Sequence, residues 1–562
     1  MKHTIEYLIL AAGTVLCFIF LWEHSGGPVS HDELLYAHVS LTSQSYPEIL
    51  NRYSHIYFQK LFFWVAGDPL EGVRIFWSLL ISASIPLIYL NAKLLSRRGG
   101  FLIPGAAVLL FFSQRKIFHF SGVTYADFTQ MFFFLIGFTI YTIYTRRSHR
   151  YRNLLLPAYG FILFMSVKAN EIGICLAALL PGFMAGNYFR KDRSNRIINA
   201  ALILAGVLSG VLVIALLDQV FNHDFLFQFR ISHLRRWLLF NAQNKLKIPR
   251  SFLAAIFDSY LIIPFIFYVV RPPGKERNFQ DKISWSLPLV ILLFLTLAIS
   301  SGGAGTNLRY LIPAIPVLCI WGSQFFNFLL SENAADNIFF HEDKPRKRYS
   351  ELGLTYRYLA LLLPAILLIT ILFYEFITYY RNITGWRGGN FYLSIILPVC
   401  LLSILILRYV YHKKPAGRFL IILLFTITIY NPIGHNFKFL YNEKTAQLFK
   451  TRLFPLETFR DKLDIQKNTR VFISSNIYKA YRMLGRDKKI SVYMFNIFLN
   501  KNLSEKNIIY SKPDKKFLDK PCDYLFLTSQ DFENILSERS ELLEKYSLIH
   551  GPREKIVLLE LK

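Results

Sequence analysis

Ser30-His31-Asp32-Glu33-Leu34-Leu35-Tyr36-Ala37 puts two adjacent acids directly behind the first long apolar run of the chain. A histidine precedes the acids and a tyrosine follows about one helical turn later. The run itself, residues 4–22, has the length of a membrane-crossing helix, for which roughly 20 apolar residues suffice. No small-residue cleavage site follows it, so it reads as a retained first helix rather than a signal peptide. The acids therefore come ashore in a short loop on the opposite side of a bilayer from the N-terminus.

The rest of the chain repeats that apolar signature. Of 562 residues, 53% are hydrophobic, and the mean hydropathy is +0.33. Further apolar spans are read at 72–95, 101–113, 123–144, 153–167, 172–189, 197–217, 251–270, 283–300, 308–330, 358–380, 391–410 and 419–433. With the first, that makes about thirteen, the run at 101–113 and the one at 153–167 being short for a crossing. Placing the N-terminus in the cytoplasm puts every strongly basic short loop there as well. Arg97-Arg98, Arg146-Arg147, Arg190-Lys191, Lys275 with Arg277, Arg346-Lys347-Arg348 and Lys413-Lys414 all fall on that side, as the positive-inside rule requires. Much of the net charge of +27 is expected in such loops, so nucleic-acid binding is not the default reading. An odd number of spans puts the C-terminal region outside, beside Asp32 and Glu33. The expected fold is a polytopic α-helical membrane protein.

One outer loop departs from the charge rule. Residues 218–250 include Arg230, His233, Arg235, Arg236, Lys245, Lys247 and Arg250. They suit either an amphipathic helix lying on anionic headgroups or a grip on phosphate, which arginine binds through paired charged hydrogen bonds. From about residue 436 the long apolar runs stop. Strands are expected at 471–475, 490–494, 524–528 and 555–561, with helices at 477–484 and 531–548. The chain thus divides into a membrane part, 1–435, and a small outer α/β domain, 436–562. The five cysteines, Cys17, Cys175, Cys319, Cys400 and Cys522, show no metal-ligand spacing and imply no disulfide framework.

Ser30-x-x-Glu33 has two readings. It fits a capping box, in which acids favour a helix N-terminus, and it equally fits a catalytic acid pair at the membrane surface. Three later stretches lie on the same side. They are Ser54-His55-Ile56-Tyr57-Phe58 continuing to Val73-Arg74-Ile75, Val123-Thr124-Tyr125-Ala126-Asp127-Phe128, and Leu308-Arg309-Tyr310-Leu311-Ile312-Pro313. Taken in this order with the first loop, they resemble the GT-C class of membrane glycosyltransferases, in particular the protein O-mannosyltransferase and aminoarabinose-transferase group. The layout of about thirteen spans followed by an outer α/β domain is similar too. The chain departs from that group at Ser54-His55-Ile56, where His-Pro-Pro or Lys-Pro-Pro is common. It departs again at Val167-Lys168-Ala169-Asn170-Glu171, where Ser-Lys-Gly is common.

The resemblance implies a sugar donor carried on a polyprenyl phosphate, inversion at the anomeric carbon, and a cell-envelope acceptor. That acceptor would be a glycolipid, a polysaccharide or a protein, with a lipid A or core-type glycolipid favoured by the basic outer loop. It implies Asp32 as general base, Glu33 as a group orienting the acceptor, and Asp127 as a second acid flanking the sugar. His55, Lys168, Arg230, Arg235, Arg236, Arg309 and Tyr310 are the residues expected at the donor phosphate. Each has a plainer reading as well: a surface ion pair for Lys168, an interface anchor for Arg309 and Tyr310, a helix-terminal acid for Asp127, a loop cap for His55. His31, Asp32 and Glu33 also match the ligand types of a divalent cation. No phosphate-binding loop for ATP occurs. A bacterial inner membrane is the expected location, with membrane lipids as surroundings. A protein O-glycosyltransferase is the rival within the class. A lipid-carrier flippase would need charged residues near the bilayer midplane or repeated halves, and a silent scaffold would leave Asp32 and Asp127 dispensable.

Overall fold

A computed structural model describes residues 2–24, 31–42, 52–96, 101–114, 117, 125–146, 152–185, 193–225, 227 and 312–330. In the C-terminal part it describes 463, 465, 468–477, 488–499, 503, 505–513, 521–538, 540–550 and 556–562. Everything below refers to these residues.

Helix α1, Lys2–His24, turns Ile5, Leu8, Ile9, Leu16 and Ile19 outward, as a helix does whose solvent is lipid. It lies antiparallel to the long helix α4, Pro69–Leu95. At one end Trp22 Nε1 donates to Glu71 Oε2 at 3.0 Å. At the other, Lys93 Nζ reaches Glu6 at 2.7 Å, and the Tyr89 hydroxyl donates to the same carboxylate. The start of α4 is set by Asp68, whose side chain accepts from the backbone N–H groups of Leu70 and Glu71 at 2.7 and 3.2 Å, with Pro69 in the first turn. Between α1 and α4 come two shorter helices, α2 (His31–Thr42) and α3 (Tyr53–Ala66); α5 (Leu102–Phe112) follows α4.

Helix α6 is Ala126–Arg146 and α7 is Leu155–Ala169. The expected span at 172–189 forms differently: a tight 3-10 segment, Glu171–Leu179, runs into a short helix α8, Leu180–Ala185. Helices α9, Arg193–Asn222, and α10, Ile315–Leu330, complete the described membrane part. Helices α7 and α9 touch backbone to backbone. A β-carbon on Gly160 would lie 2.0 Å from the carbonyl oxygen of Ile203, and one on Gly206 would lie 1.9 Å from that of Pro157. Small residues permit this approach, which membrane helices use where apolar burial alone gives no drive to associate. The core between the helices is aromatic, with Phe76, Trp77, Phe111, Phe128, Phe134, Phe138 and Trp321 fully buried.

Among the described residues, Thr4–His24, Pro69–Leu95, Ala126–Thr145 and Ile197–Asn222 are long and apolar enough to cross a membrane, and Leu102–Phe112, Leu155–Ala169, Ile172–Met184 and Ile312–Gln324 are shorter apolar helices. The expected spans at 251–270, 283–300, 358–380, 391–410 and 419–433 lie outside the described residues, as does the expected boundary at 435/436.

The C-terminal residues form a five-stranded sheet in the order β2-β1-β3-β5-β4. The strands are β1 Val471–Ser474, β2 Ile508–Ser511, β3 Tyr524–Thr528, β4 Tyr546–His550 and β5 Ile556–Leu561. Strand β1 pairs in parallel with β2 (Val471 opposite Ile508) and with β3 (Val471 opposite Tyr524). Strand β5 is antiparallel to both β3 and β4. Two expectations are corrected. Residues 490–494 are not a strand; they lie inside helix α11, Lys488–Phe498. Residues 491–497 are buried throughout, and a window of five mostly apolar and aromatic residues is too short to separate a helix from a buried strand. The helix expected over 531–548 is Ser529–Glu538 (α12) and Ser540–Leu543 (α13), after which the chain turns into β4.

Helix α11 is what joins the sheet to the membrane part. It packs on α2, and Leu34, Leu35, Tyr36, Ala37 and Val39 share one apolar cluster with Val492, Tyr493, Met494, Phe495, Val471 and Phe526. The His38 and Tyr493 rings pack tilted against each other with centroids 4.4 Å apart. The sheet therefore sits against α2, the helix whose first turn carries Asp32.

Candidate active site

Helix α2 begins at His31, so Asp32 and Glu33 fall in its first turn, where the helix dipole favours acids. Asp32 is half-buried, while residues 34–40 behind it are buried on every face. The helix is held on one side by α3 and α4 and on the other by α11. This packing, rather than the loop sequence, gives Asp32 a defined position.

Asp127 stands in the first turn of α6 and is 3% exposed. Ionised, a carboxylate at that depth needs donors. The side chain of Asn170 supplies one, its Nδ2 donating to Asp127 Oδ1 at 2.9 Å. The same side chain caps the 3-10 segment, its Oδ1 accepting from the Ile172 N–H at 3.3 Å. With one end committed as acceptor and the other as donor, the amide orientation is settled. Ala126, the neighbour of Asp127, belongs to the same apolar cluster as Leu34 and Leu35, with Tyr125 packed against it. The two acids thus border one core, from α2 and α6.

His55 lies between them on α3. It is completely buried, its Nδ1 meets Thr129 Oγ1 at 2.8 Å, and its ring stands edge-on to Tyr36 at 5.3 Å and against Phe76 at 5.5 Å. Its Nε2 finds no hydrogen-bond partner among the described residues. Burial first, and then the nearby Arg52 charge, push its pKa down to about 3, so the ring is neutral at ordinary pH. Neighbouring residues of the motif are anchored as well: Ser54 Oγ donates to the Met165 carbonyl at 2.8 Å, and Gln130 on α6 donates to Ser166 on α7.

A third acid, which the sequence reading passed over as the first residue of a loop, belongs to this end. Asp218, in the last turn of α9, is wholly buried. The Tyr57 hydroxyl donates to it, and Asn222 Nδ2 lies 3.1 Å from that hydroxyl. Lys168, at the end of α7, is buried as well; burial lowers its pKa to about 8, and the Asp218 charge opposes that shift. An acid at the end of a long apolar run, with a tyrosine, an asparagine and a lysine in neighbouring helix ends, was the only signal available. Pairing across three helices, α3, α7 and α9, is invisible without the fold. Arg74 Nη1 donates to Glu71 Oε1 at 2.7 Å.

The side chains of His31 and Glu33, together with Arg230, Arg235, Arg236, Arg309 and Tyr310, lie outside the described residues. Among the described residues, no three His, Cys, Asp or Glu side chains come together as a cation site.

No family model matches the sequence, and no curated protein sequence matches it either. Solved structures do. Two crystal structures of ArnT from Cupriavidus metallidurans superpose over nearly the whole chain. The form bound to undecaprenyl phosphate gives a TM-score of 0.54 with 12% identity, covering 99% of this chain and 98% of ArnT. The apo form gives 0.52 and 12%, covering 100% and 98%. This chain has the GT-C fold. The archaeal oligosaccharyltransferase AglB from Archaeoglobus fulgidus, in complex with an inhibitory peptide and a dolichol-phosphate, aligns at a TM-score of 0.45 with 9% identity, over 98% of this chain and 74% of that one. The GT-C fold combines apolar helices with a small sheet, and here the sheet sits against α2, the helix whose first turn carries Asp32.

Proposed function

We propose that this chain is an integral-membrane glycosyltransferase that moves a sugar from a polyprenyl-phosphate donor to a cell-envelope acceptor. One observation carries the reading: within a GT-C fold, Asp127 is a buried carboxylate held by Asn170, beside the core on which the Asp32 helix packs. The ArnT structure bound to undecaprenyl phosphate supports a lipid-phosphate donor.

In this mechanism an acceptor oxygen attacks the anomeric carbon from the face opposite the lipid phosphate. The bond from that carbon to the phosphate oxygen breaks, and the leaving polyprenyl phosphate takes the electron pair. Asp32, half in water at the head of α2, receives the acceptor proton. Asp127, held by Asn170 at the start of α6, faces the positive charge that builds on the sugar ring. Lys168, with Arg230, Arg235, Arg236, Arg309, Tyr310 and His55, is assigned to the donor phosphate. Cations there stabilise the charge that the leaving group gains. His31 and Glu33 flank the base, where a divalent cation has fitting ligand types. The acceptor favoured is an anionic envelope glycolipid, because the loop at 218–250 and the lysines of the C-terminal part present positive charge to it. The sheet, packed on α2, then lies on the extracytoplasmic side, as the loop charges require. The domain division is kept at 1–435 and 436–562.

The test is transfer from a panel of radiolabelled polyprenyl-phosphate sugars to envelope extract, by the purified chain in liposomes. Wild type should label one product. Asp32→Asn should fold normally and lose about 10²–10⁴-fold in rate, the usual contribution of a general base. Full activity in folded Asp32→Asn and Asp127→Asn would remove both acids from the chemistry.

A further inference from the structure

Asp218 is 0% exposed at the outer end of α9, a costly position for a charge unless hydrogen bonds and a counter-charge compensate it. The hydrogen bonds are there. The Tyr57 hydroxyl donates to Oδ1, and Asn222 Nδ2 lies 3.4 Å from the same oxygen and 3.1 Å from the Tyr57 hydroxyl. The counter-charge is Lys168, 8% exposed at the matching end of α7; burial lowers its pKa to about 8, and the Asp218 charge works against that by favouring the ammonium.

The helices that carry this pair are unable to slip past one another. Close contacts tie the two at three levels: Pro157 against Gly206, Gly160 against Ile203 and Val207, Phe164 against Gly210. Toward the ends, Met165 and Ala169 share an apolar cluster with Ile214, Leu217 and Phe221, and with Tyr53 and Tyr57 from α3. The carboxylate is thus braced from α3 and from its own helix, and the ammonium is presented by a helix locked to it.

We propose that Asp218 is a positioning residue that, braced by Tyr57 and Asn222, aims the Lys168 ammonium at the phosphate of the lipid donor. This rests on the assignment of Lys168 to that phosphate. Asp218 itself touches no substrate. The direction of its effect separates this role from simple proximity. A carboxylate that merely lay near the site would repel a phosphate, and its removal would tighten binding. A carboxylate that holds the gripping cation weakens binding when removed.

The experiment measures binding of undecaprenyl phosphate to the full chain in nanodiscs, for wild type, Asp218→Asn, Lys168→Met, the double variant and Tyr57→Phe. Asp218→Asn should weaken binding about tenfold, equivalent to ~1.4 kcal/mol. Lys168→Met should weaken it at least as much. Added to Lys168→Met, Asp218→Asn should change binding less than about twofold, because coupled residues are not additive. Tyr57→Phe, which removes only the brace, should weaken binding about threefold and serves if Asp218→Asn fails to fold. Unchanged or tighter binding by Asp218→Asn overturns the proposal. So does a tenfold loss that persists in the Lys168→Met background and disappears instead in Lys60→Met, whose ammonium lies 4.2 Å from the Phe221 ring centroid nearby. Absence of binding by wild type overturns it together with the phosphate assignment. The expected binding pattern without any sugar transfer would sink the glycosyltransferase reading and leave the Asp218–Lys168 relation standing.

Discussion

Replacing Tyr493 by alanine should loosen the helix that carries Asp32, although the two residues are far apart in sequence. Tyr493 is buried on α11, with its ring packed tilted against His38 in the middle of α2. Cutting a buried aromatic back to alanine costs about 3–5 kcal/mol, of which the ring pair itself accounts for about 0.5–1.5 kcal/mol. Helix α11 faces the sheet as well as α2. Assigning about half of the loss to the α2 side leaves ~2 kcal/mol, since truncation vacates both faces of the contact. At ~1.4 kcal/mol per factor of ten, local opening of α2 becomes about 30-fold more frequent. Hydrogen exchange read by mass spectrometry over residues 34–40 measures this directly. Tyr493→Phe, which keeps the ring, should stay within about twofold of wild type. The turnover rate of Tyr493→Ala should fall as exchange rises, because the proposed base sits one turn ahead of the loosened segment. Unchanged exchange over 34–40, in a protein whose thermal midpoint has dropped, would refute the reasoning: α2 would then be held by α3 and α4 alone.

Other perturbations have equally definite outcomes. Asn170→Ala removes a donor to buried Asp127 and the cap of the 3-10 segment. It should cost about 2–4 kcal/mol, read as a lowered thermal midpoint, and transfer should fall with it. The depressed pKa of His55 makes stability pH-dependent. The unfolded chain protonates this residue below about pH 6.5 while the folded chain resists until about pH 3, so stability is complete above the upper value and is lost as pH falls through that window. His55→Gln should flatten the midpoint-versus-pH curve between pH 4 and 7, and an unaltered slope would show that other groups govern it. Gly160→Ala drives a β-carbon into the Ile203 carbonyl and should cost at least about 1–3 kcal/mol or abolish a monodisperse preparation. Gly105→Ala, with nothing within 4 Å, should be neutral or stabilise by about 0.5–1 kcal/mol, as glycine does when replaced inside a helix.

Much of the architecture was legible because bilayer chemistry writes long signals. Apolar runs at 4–22, 72–95 and 197–217 became helices within a few residues of their expected bounds, since a membrane-crossing helix is defined by composition over some 20 positions. The Tyr524–Thr528 strand was read to the residue because its buried, β-branched and aromatic run is short and bounded. Shorter features failed where the signal is ambiguous. Residues 490–494 look like a strand by residue type and are part of a helix, because five residues are too few to separate a helical from an extended apolar run. Strand β2 was missed, and the helix expected through residue 548 gives way to β4 after Leu543. Edge strands of this kind are made by pairing, not by local preference.

By itself, the sequence determined that the chain is a helical membrane protein, and that Asp32 and Asp127 come at helix starts within an order of motifs resembling the GT-C class. Hydropathy, loop charge and helix-start acids are local properties, readable one stretch at a time. Only the tertiary structure decided that Asn170 holds Asp127, that Asp218 lies buried with Tyr57 and beside Lys168, and that α11 clamps α2. The physical reason is common to all three. A buried charge or ring is stable only with partners, and those partners come from segments 43 to 455 positions apart, which no local pattern in the chain can pair.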